Sequence, residues 1–163
     1  MVVKALRFAN LFVNGVNAGI AMSHALQAPQ KAKLDRKSFL VAQQTLYLKY
    51  GVAASVLEPL ALLSSVELGV ASRKRRPDPL MLLAGACVVA EIAVWAKFLD
   101  PINRQVAEWD ADHMPQDWSA VRDRWHALHR VRALLTATAL GASAVTAIQN
   151  ANDGQAWIGL RAA

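Results

Sequence analysis

The chain has a single cysteine, Cys87, set inside an apolar run. One thiol excludes an internal disulfide and any metal site built on several thiolates, and a small packing residue is its expected role. Charge is scarce too. Only 18% of residues are Asp, Glu, Lys or Arg, against 55% hydrophobic. The formal net charge of +6 is unevenly spread, with Arg73, Lys74, Arg75 and Arg76 crowded into one short linker. Cations between apolar runs, rather than along one solvated face, exclude a nucleic-acid partner as the reading of this basicity. No internal repeat and no low-complexity tail is present. The most telling gap is the absence of any charge from Ala133 to Asn152. A helix of that length is ~30 Å long, enough to cross the hydrocarbon core of a bilayer.

Four apolar stretches reach that length: residues 6–26, 52–72, 80–99 and 128–150. They predict an all-α fold, a four-transmembrane-helix antiparallel bundle forming one integral membrane domain over residues 1–163. A soluble bundle of long buried helices is the alternative, but four such spans leave little polar face for water. Lys4 and Arg7 before an apolar run resemble a signal peptide. Asn10, Asn14 and Asn17 suit a cleavable segment poorly, and no small-x-small site follows, so a retained first span is expected. Gly15 and Gly19 form a small-xxx-small pair that lets helices approach closely in lipid. The Arg73–Arg76 linker is expected on the cytoplasmic side. Both termini then face the cytoplasm, and the two long connections face outward. The expected location is the cell (inner) membrane, as a multi-pass protein. The bilayer and a lipophilic small molecule are the expected partners, and self-association into a homo-oligomer is left open.

Each long connection is expected to hold a short helix. In the first, Phe39, Ala42, Leu46 and Tyr50 recur at helical spacing, with Gly51 as a joint before the second span. In the second, Asp100-Pro101 has the form of a helix start, with Asp as cap and Pro at the first position. Ile102, Val106 and Trp109 would form its apolar face. A further start at Pro115–Asp117 should run into the fourth span. Trp109, Trp118 and Trp125 suit either an interfacial aromatic belt or the lining of a binding cavity.

Polar residues inside apolar spans are the candidates for chemistry. In the first span Asn10, Asn14, Asn17 and His24 share one stripe, which must face other helices or a cavity. Glu58 precedes Pro59, whose missing N–H frees a backbone carbonyl beside the carboxylate. Glu67 points the other way and is expected to snorkel toward Arg73 or Lys74. Glu91 lies near the bilayer midplane, so it should be buried and either protonated or hydrogen-bonded to the polar stripe of the first span. Lys97 and Asp100 are spaced as a structural pair. In the fourth span Trp118, Arg122, Trp125, His129, Arg132 and Thr136 occupy one stripe, with His126 beside it. In an antiparallel bundle, His24, Glu58, His129 and Arg132 fall in one layer near the outer surface, with Asn103 close by. Simple anchoring of His129 and Arg132 among headgroups is the plainer alternative.

Pro101-Ile102-Asn103, Pro115-Gln116-Asp117-Trp118 and Trp125-x-x-x-His129-x-x-Arg132, in that order and spacing, resemble the anthrone oxygenase-like family of small four-helix membrane proteins. The polar, Gly-containing first span with His24 and Pro29 and the Gln43-Gln44-x-x-Tyr47 stretch are similar as well. The resemblance covers nearly the whole chain. It implies oxygenation of an anthrone to an anthraquinone, without a known prosthetic group, and marks Asn103, Trp125, His129 and Arg132 as family-like positions.

The chemistry needs a base, a cation for an oxyanion and a dry aromatic cavity. His129 or His24 suits the base, and Arg132 the oxyanion partner. Asn103, Trp125, Glu58 and Asn17 are the expected substrate-binding residues. No cofactor is expected on this reading. One alternative is a transition metal ion held by His24, Glu58 and His129, giving a metal-dependent oxidoreductase. No facing histidine pair at matching depth stands out for haem. A non-catalytic membrane small-molecule binder or helix-packing partner is the alternative from another class.

Overall fold

A computed structural model of the chain describes residues 2–70 and 77–161. The expected cytoplasmic linker, Arg73 to Arg76, and the end of the second expected span lie outside the described residues. The described residues form helices and no strand. Helix α1 is Val2–Lys31, α2 is Arg36–Leu46 and α3 is Leu48–Val70. Helix α4, Pro79–Val94, passes through a π-helical turn at Trp95–Leu99 into α5, Asp100–Ala107. Helix α6 is Trp118–Arg161.

Local chemistry sets several of these ends. The Asp35 carboxylate accepts from the backbone N–H of Ser38 at 2.8 Å, capping α2. That hydrogen bond also holds the Asp35 carboxyl below its usual range. Asp78 caps α4 in the same way, accepting from Leu80 N at 3.0 Å, with Pro79 at the first helical position. Helix α6 opens where expected, its Trp118 N–H donating to the Pro115 carbonyl at 3.3 Å, and runs unbroken through the fourth expected span.

Two expected joints move. Gly51 lies inside α3, and the break between α2 and α3 falls at Tyr47 (φ −103°, ψ 0°). Asp100-Pro101 begins no separate helix, so the second long connection holds no free-standing short helix. Proline lacks the N–H that would bond to the carbonyl four residues back, and its ring crowds that carbonyl. The chain meets this by widening into the π turn, where Asp100 N–H reaches back to the Trp95 carbonyl, and the rod continues. Asp100 pairs with Arg104 at 2.6 Å, one turn ahead, and not with Lys97.

Three helices are long and apolar enough to cross a membrane: Tyr50–Val70, Pro79–Ala107 and Trp118–Ala151. They match the second, third and fourth expected spans. Helix α1 has the length but is less apolar, because its buried stripe is polar. Asn10, Asn14, Asn17 and His24 are all buried, while Phe8, Phe12 and Leu26 on the same helix are well exposed. The four long helices close a ring in which α1 packs on α6 and α3, and α4 packs on α6 and α3.

The interior divides into two apolar clusters. At one end Ala61, Ala84, Cys87, Ala139 and Ala142 pack with Met81 and Val88, as expected for Cys87. Small side chains let the backbones approach: a Cβ on Gly69 would lie 2.9 Å from Leu82 Cδ2. At the other end Phe39, Leu40, Leu99, Ile102, Val106 and Trp125 gather under α2 and the second connection. Gln44 ties these together, its amide donating to the carbonyls of Trp109 (3.0 Å) and Val106 (3.2 Å). The candidate site lies between the two ends.

Candidate active site

Helix α1 spends its polar stripe in two ways. Asn10 donates to Ser64 Oγ (2.9 Å) and Ser65 Oγ (3.0 Å) on α3, and Asn14 donates to its own helix at the Asn10 carbonyl (2.9 Å). The Asn10 bonds fasten α1 to α3. About one and three turns beyond Asn14, Asn17 and His24 face a cavity of about 610 Å³. Its walls come from α1, α2, α3, the α4–α5 rod and α6.

The deep wall is ionic. Arg132 on α6 directs one nitrogen, Nη2, at two carboxylates: Glu58 on α3 and Glu91 on α4, the latter at 2.9 Å. Asn17 Nδ2 donates to the other Glu91 oxygen at 2.9 Å. Glu91 is thus fully buried and bonded to the polar stripe of α1, as expected of a carboxylate inside an apolar helix. Four helices meet in this one cluster. Arg132 Nε is buried with no hydrogen-bond partner among the described residues.

The middle of the cavity is aromatic. His24 and His129 lie nearly face to face, ring centroids 4.2 Å apart and planes 30° apart. Trp125 packs on His129 at 4.0 Å and meets His24 edge-on at 5.4 Å. Tyr47 and Tyr50 close around His24 at 5.0 Å and 4.9 Å. The Nδ1 atoms of His24 and His129 are buried and have no hydrogen-bond partner among the described residues. At the rim the indole N–H of Trp125 donates to Asn103 Oδ1 at 2.9 Å, so Asn103 sets the plane of that ring.

Lys31, at the end of α1, is buried with its ammonium 4.1 Å above the Tyr47 ring and 5.7 Å from the Trp125 ring. These cation–π contacts offset part of the cost of burial. Burial still pushes the Lys31 ammonium down to about 8.

Most of the residues expected from sequence therefore meet. His24, Asn17, Asn103, Trp125, His129 and Arg132 all line the cavity. Glu58 does not; it stands behind Arg132 and holds it from the α3 side. That placement, with Glu58 engaged by the guanidinium, does not assemble the alternative of a metal held by His24, Glu58 and His129. No group of three His, Cys, Asp or Glu among the described residues is placed to hold a metal ion. Trp125 is buried, Trp109 lines the cavity, and Trp118 packs on Phe39 at 5.7 Å. Glu91, Tyr50, Lys31 and Trp95 were not among the expected site residues. Glu91 carried a signal, since a midplane carboxylate needs a partner. Tyr50 and Trp95 carried none, because nothing local distinguishes a cavity-facing aromatic from an outward-facing one, and Lys31 meets the Tyr47 and Trp125 rings only through the tertiary fold.

The model of a family described as anthrone oxygenase matches residues 47–157, more than half of the chain. No curated protein and no solved structure matches it. The match takes in Tyr47, Glu58, Glu91, Trp125, His129 and Arg132, and leaves His24 and Asn17 of α1 outside it.

Proposed function

The chain belongs to the anthrone oxygenase family, and from that premise we propose that it is a membrane-embedded oxygenase acting on a lipophilic phenolic arene. The observation that carries the reading is a stacked His24–His129 pair beside Arg132 in an aromatic cavity. In the proposed reaction an imidazole of that pair, His129 first, takes a proton from a carbon flanked by aromatic rings. The resulting carbanion is delocalised onto a phenolate oxygen, and the unpartnered Arg132 Nε–H meets that oxygen. Dioxygen takes an electron from the electron-rich ring and joins the carbon as a peroxide. Loss of water leaves the carbonyl. The carbon gives up two hydrogens and gains one oxygen, and the second oxygen leaves as water, so no metal or prosthetic group is needed.

On this reading Asn17, in the cavity wall, fixes Glu91, and Glu58 fixes Arg132 from behind. Trp125 and Tyr47 stack on the planar substrate, and Asn103 fixes the indole. The same reading has four spans, with α1 as the first. Its apolar residues are exposed and its polar ones buried, the reverse of a helix that meets water on its outer face. The termini face the cytoplasm of a cell (inner) membrane, and the cavity opens toward the outer side.

Oxygen uptake by the protein in vesicles, with dihydroxyanthrone as substrate, tests the proposal. Wild type should consume one dioxygen per anthrone, and His129→Ala should fall to the vesicle background while remaining folded. Wild-type rates in His129→Ala would remove His129 from catalysis. Binding of dihydroxyanthrone without oxygen uptake would make the protein a small-molecule binder.

A further inference from the structure

A second hollow of about 450 Å³ lies between α1 and α3. Its walls are Val16, Gly19, Ile20 and Ser23 from α1, with Tyr50 and Ala53 from α3. Ile20 and Tyr50 belong to both this hollow and the His24–His129 cavity, so the two spaces are neighbours through a shared wall. The hollow differs from the main cavity in chemistry. Its one side-chain polar group besides Tyr50 is Ser23 Oγ, which is already spent on the Ile20 carbonyl at 2.7 Å. No charged residue lines it. It is also roomy where a close helix pair would not be: a Cβ on Gly19 would meet nothing within 4 Å. Val16 and Gly19 are exposed on the outer surface of the helix ring.

Small residues between membrane helices ordinarily serve to bring backbones together. Here they leave a gap, and the gap leads from the outer surface to Tyr50. Tyr50 in turn packs on His24 at 4.9 Å. A molecule whose polar ring sits among His24, His129 and Arg132 therefore lies beside this hollow, with Tyr50 and Ile20 between the two spaces.

We propose that the ligand is an amphiphile, a phenolic ring system carrying an alkyl or isoprenoid chain, with the ring in the main cavity and the chain lying in the α1–α3 hollow toward the bilayer. This inference rests on the proposed function for its ring and adds the chain. The chain gains little by leaving lipid for an equally apolar groove, so the groove acts by admitting tailed molecules and setting their orientation.

The test uses the full chain in phosphatidylcholine vesicles with two probes, dihydroxyanthrone and its dodecyl homologue carrying a terminal diazirine. On illumination the tailed probe should label Val16, Ile20 or Ala53, and excess untailed dihydroxyanthrone should suppress that labelling. Gly19→Trp should weaken binding of the tailed probe by about tenfold or more, the scale of a misplaced large side chain, and leave the untailed one within about twofold. Ala53→Leu, a milder filling of the same groove, should act in the same direction.

Labelling elsewhere, or an equal effect of Gly19→Trp on both probes, would overturn the inference. A diazirine-tailed phosphatidylcholine that labels the groove as strongly, with no suppression by dihydroxyanthrone, would also overturn it, making the groove a seat for bilayer lipid. Failure of the untailed probe itself to bind would refute the phenol reading and this inference with it. Loss of the tail effect alone would refute only the latter.

Discussion

Removing the Arg132 guanidinium should unfold the protein more readily than removing either carboxylate that it holds. Among the described residues Arg132 Nη2 is the only cationic donor bonded to Glu58 and Glu91, and both acids are buried at the meeting of four helices. In Arg132→Met, Glu91 keeps one donor, Asn17 Nδ2 at 2.9 Å, and Glu58 keeps none of its recorded side-chain donors. Breaking a buried ion pair from one side costs about 3–5 kcal/mol, because the surviving charge has nowhere to go. A loss of that size is on the order of 10 °C in midpoint for a domain of this length. Glu91→Gln leaves a one-to-one Glu58–Arg132 pair and an amide that can still accept from Asn17, so it should stay near wild type. Glu91→Lys puts a second cation against Arg132 and should not fold. Combining Arg132→Met with Glu58→Gln and Glu91→Gln removes every charge in the cluster and should recover most of the lost stability. Thermal unfolding of detergent-solubilised protein, followed by circular dichroism, measures all of these. If Arg132→Met melts with wild type, or the neutral triple variant is no better than the single one, the cluster does not carry the stability assigned to it.

The Lys31 ammonium should give the protein a stability limb at alkaline pH. Its folded value of about 8 lies below the ordinary 10.5, so folding penalises the charged form. The penalty is complete below pH 8 and fades as the pH rises toward 10.5, so wild type should gain stability across that window relative to Lys31→Met; parallel melting curves would refute it. The proposed topology is checked with a Cys87→Ser background and single cysteines added by substitution. An impermeant maleimide applied from outside should label Asp112→Cys and not Asp78→Cys, and the opposite pattern would reverse the orientation.

The sequence by itself determined the helical fold, the positions of three long apolar helices and which face of α1 turns inward. The reason is that in both cases one residue type repeats at the helical period: apolar along α3, α4 and α6, polar along Asn10, Asn14, Asn17 and His24. Asp before Pro misled for a physical reason as well. The dipeptide favours a cap when the chain is free to turn, but a rod packed through Leu99, Ile102 and Val106 could absorb the proline in a π turn instead. Local sequence also placed the four residues His24, Glu58, His129 and Arg132 in one layer, because depth along a helix follows from residue number.

Tertiary structure alone decided what touches what within that layer. Glu58 and Glu91 look alike in sequence, each a carboxylate inside an apolar span. Only helix rotation about the shared Arg132 sends Glu91 to the cavity wall and Glu58 behind the guanidinium. The stacked imidazoles likewise depend on α1 and α6 lying side by side, a pairing of residues more than a hundred positions apart that no local spacing encodes. The gap at Gly19 is of the same kind, since a glycine in a membrane helix can close a contact or leave one open, and the position of the facing backbone determines which.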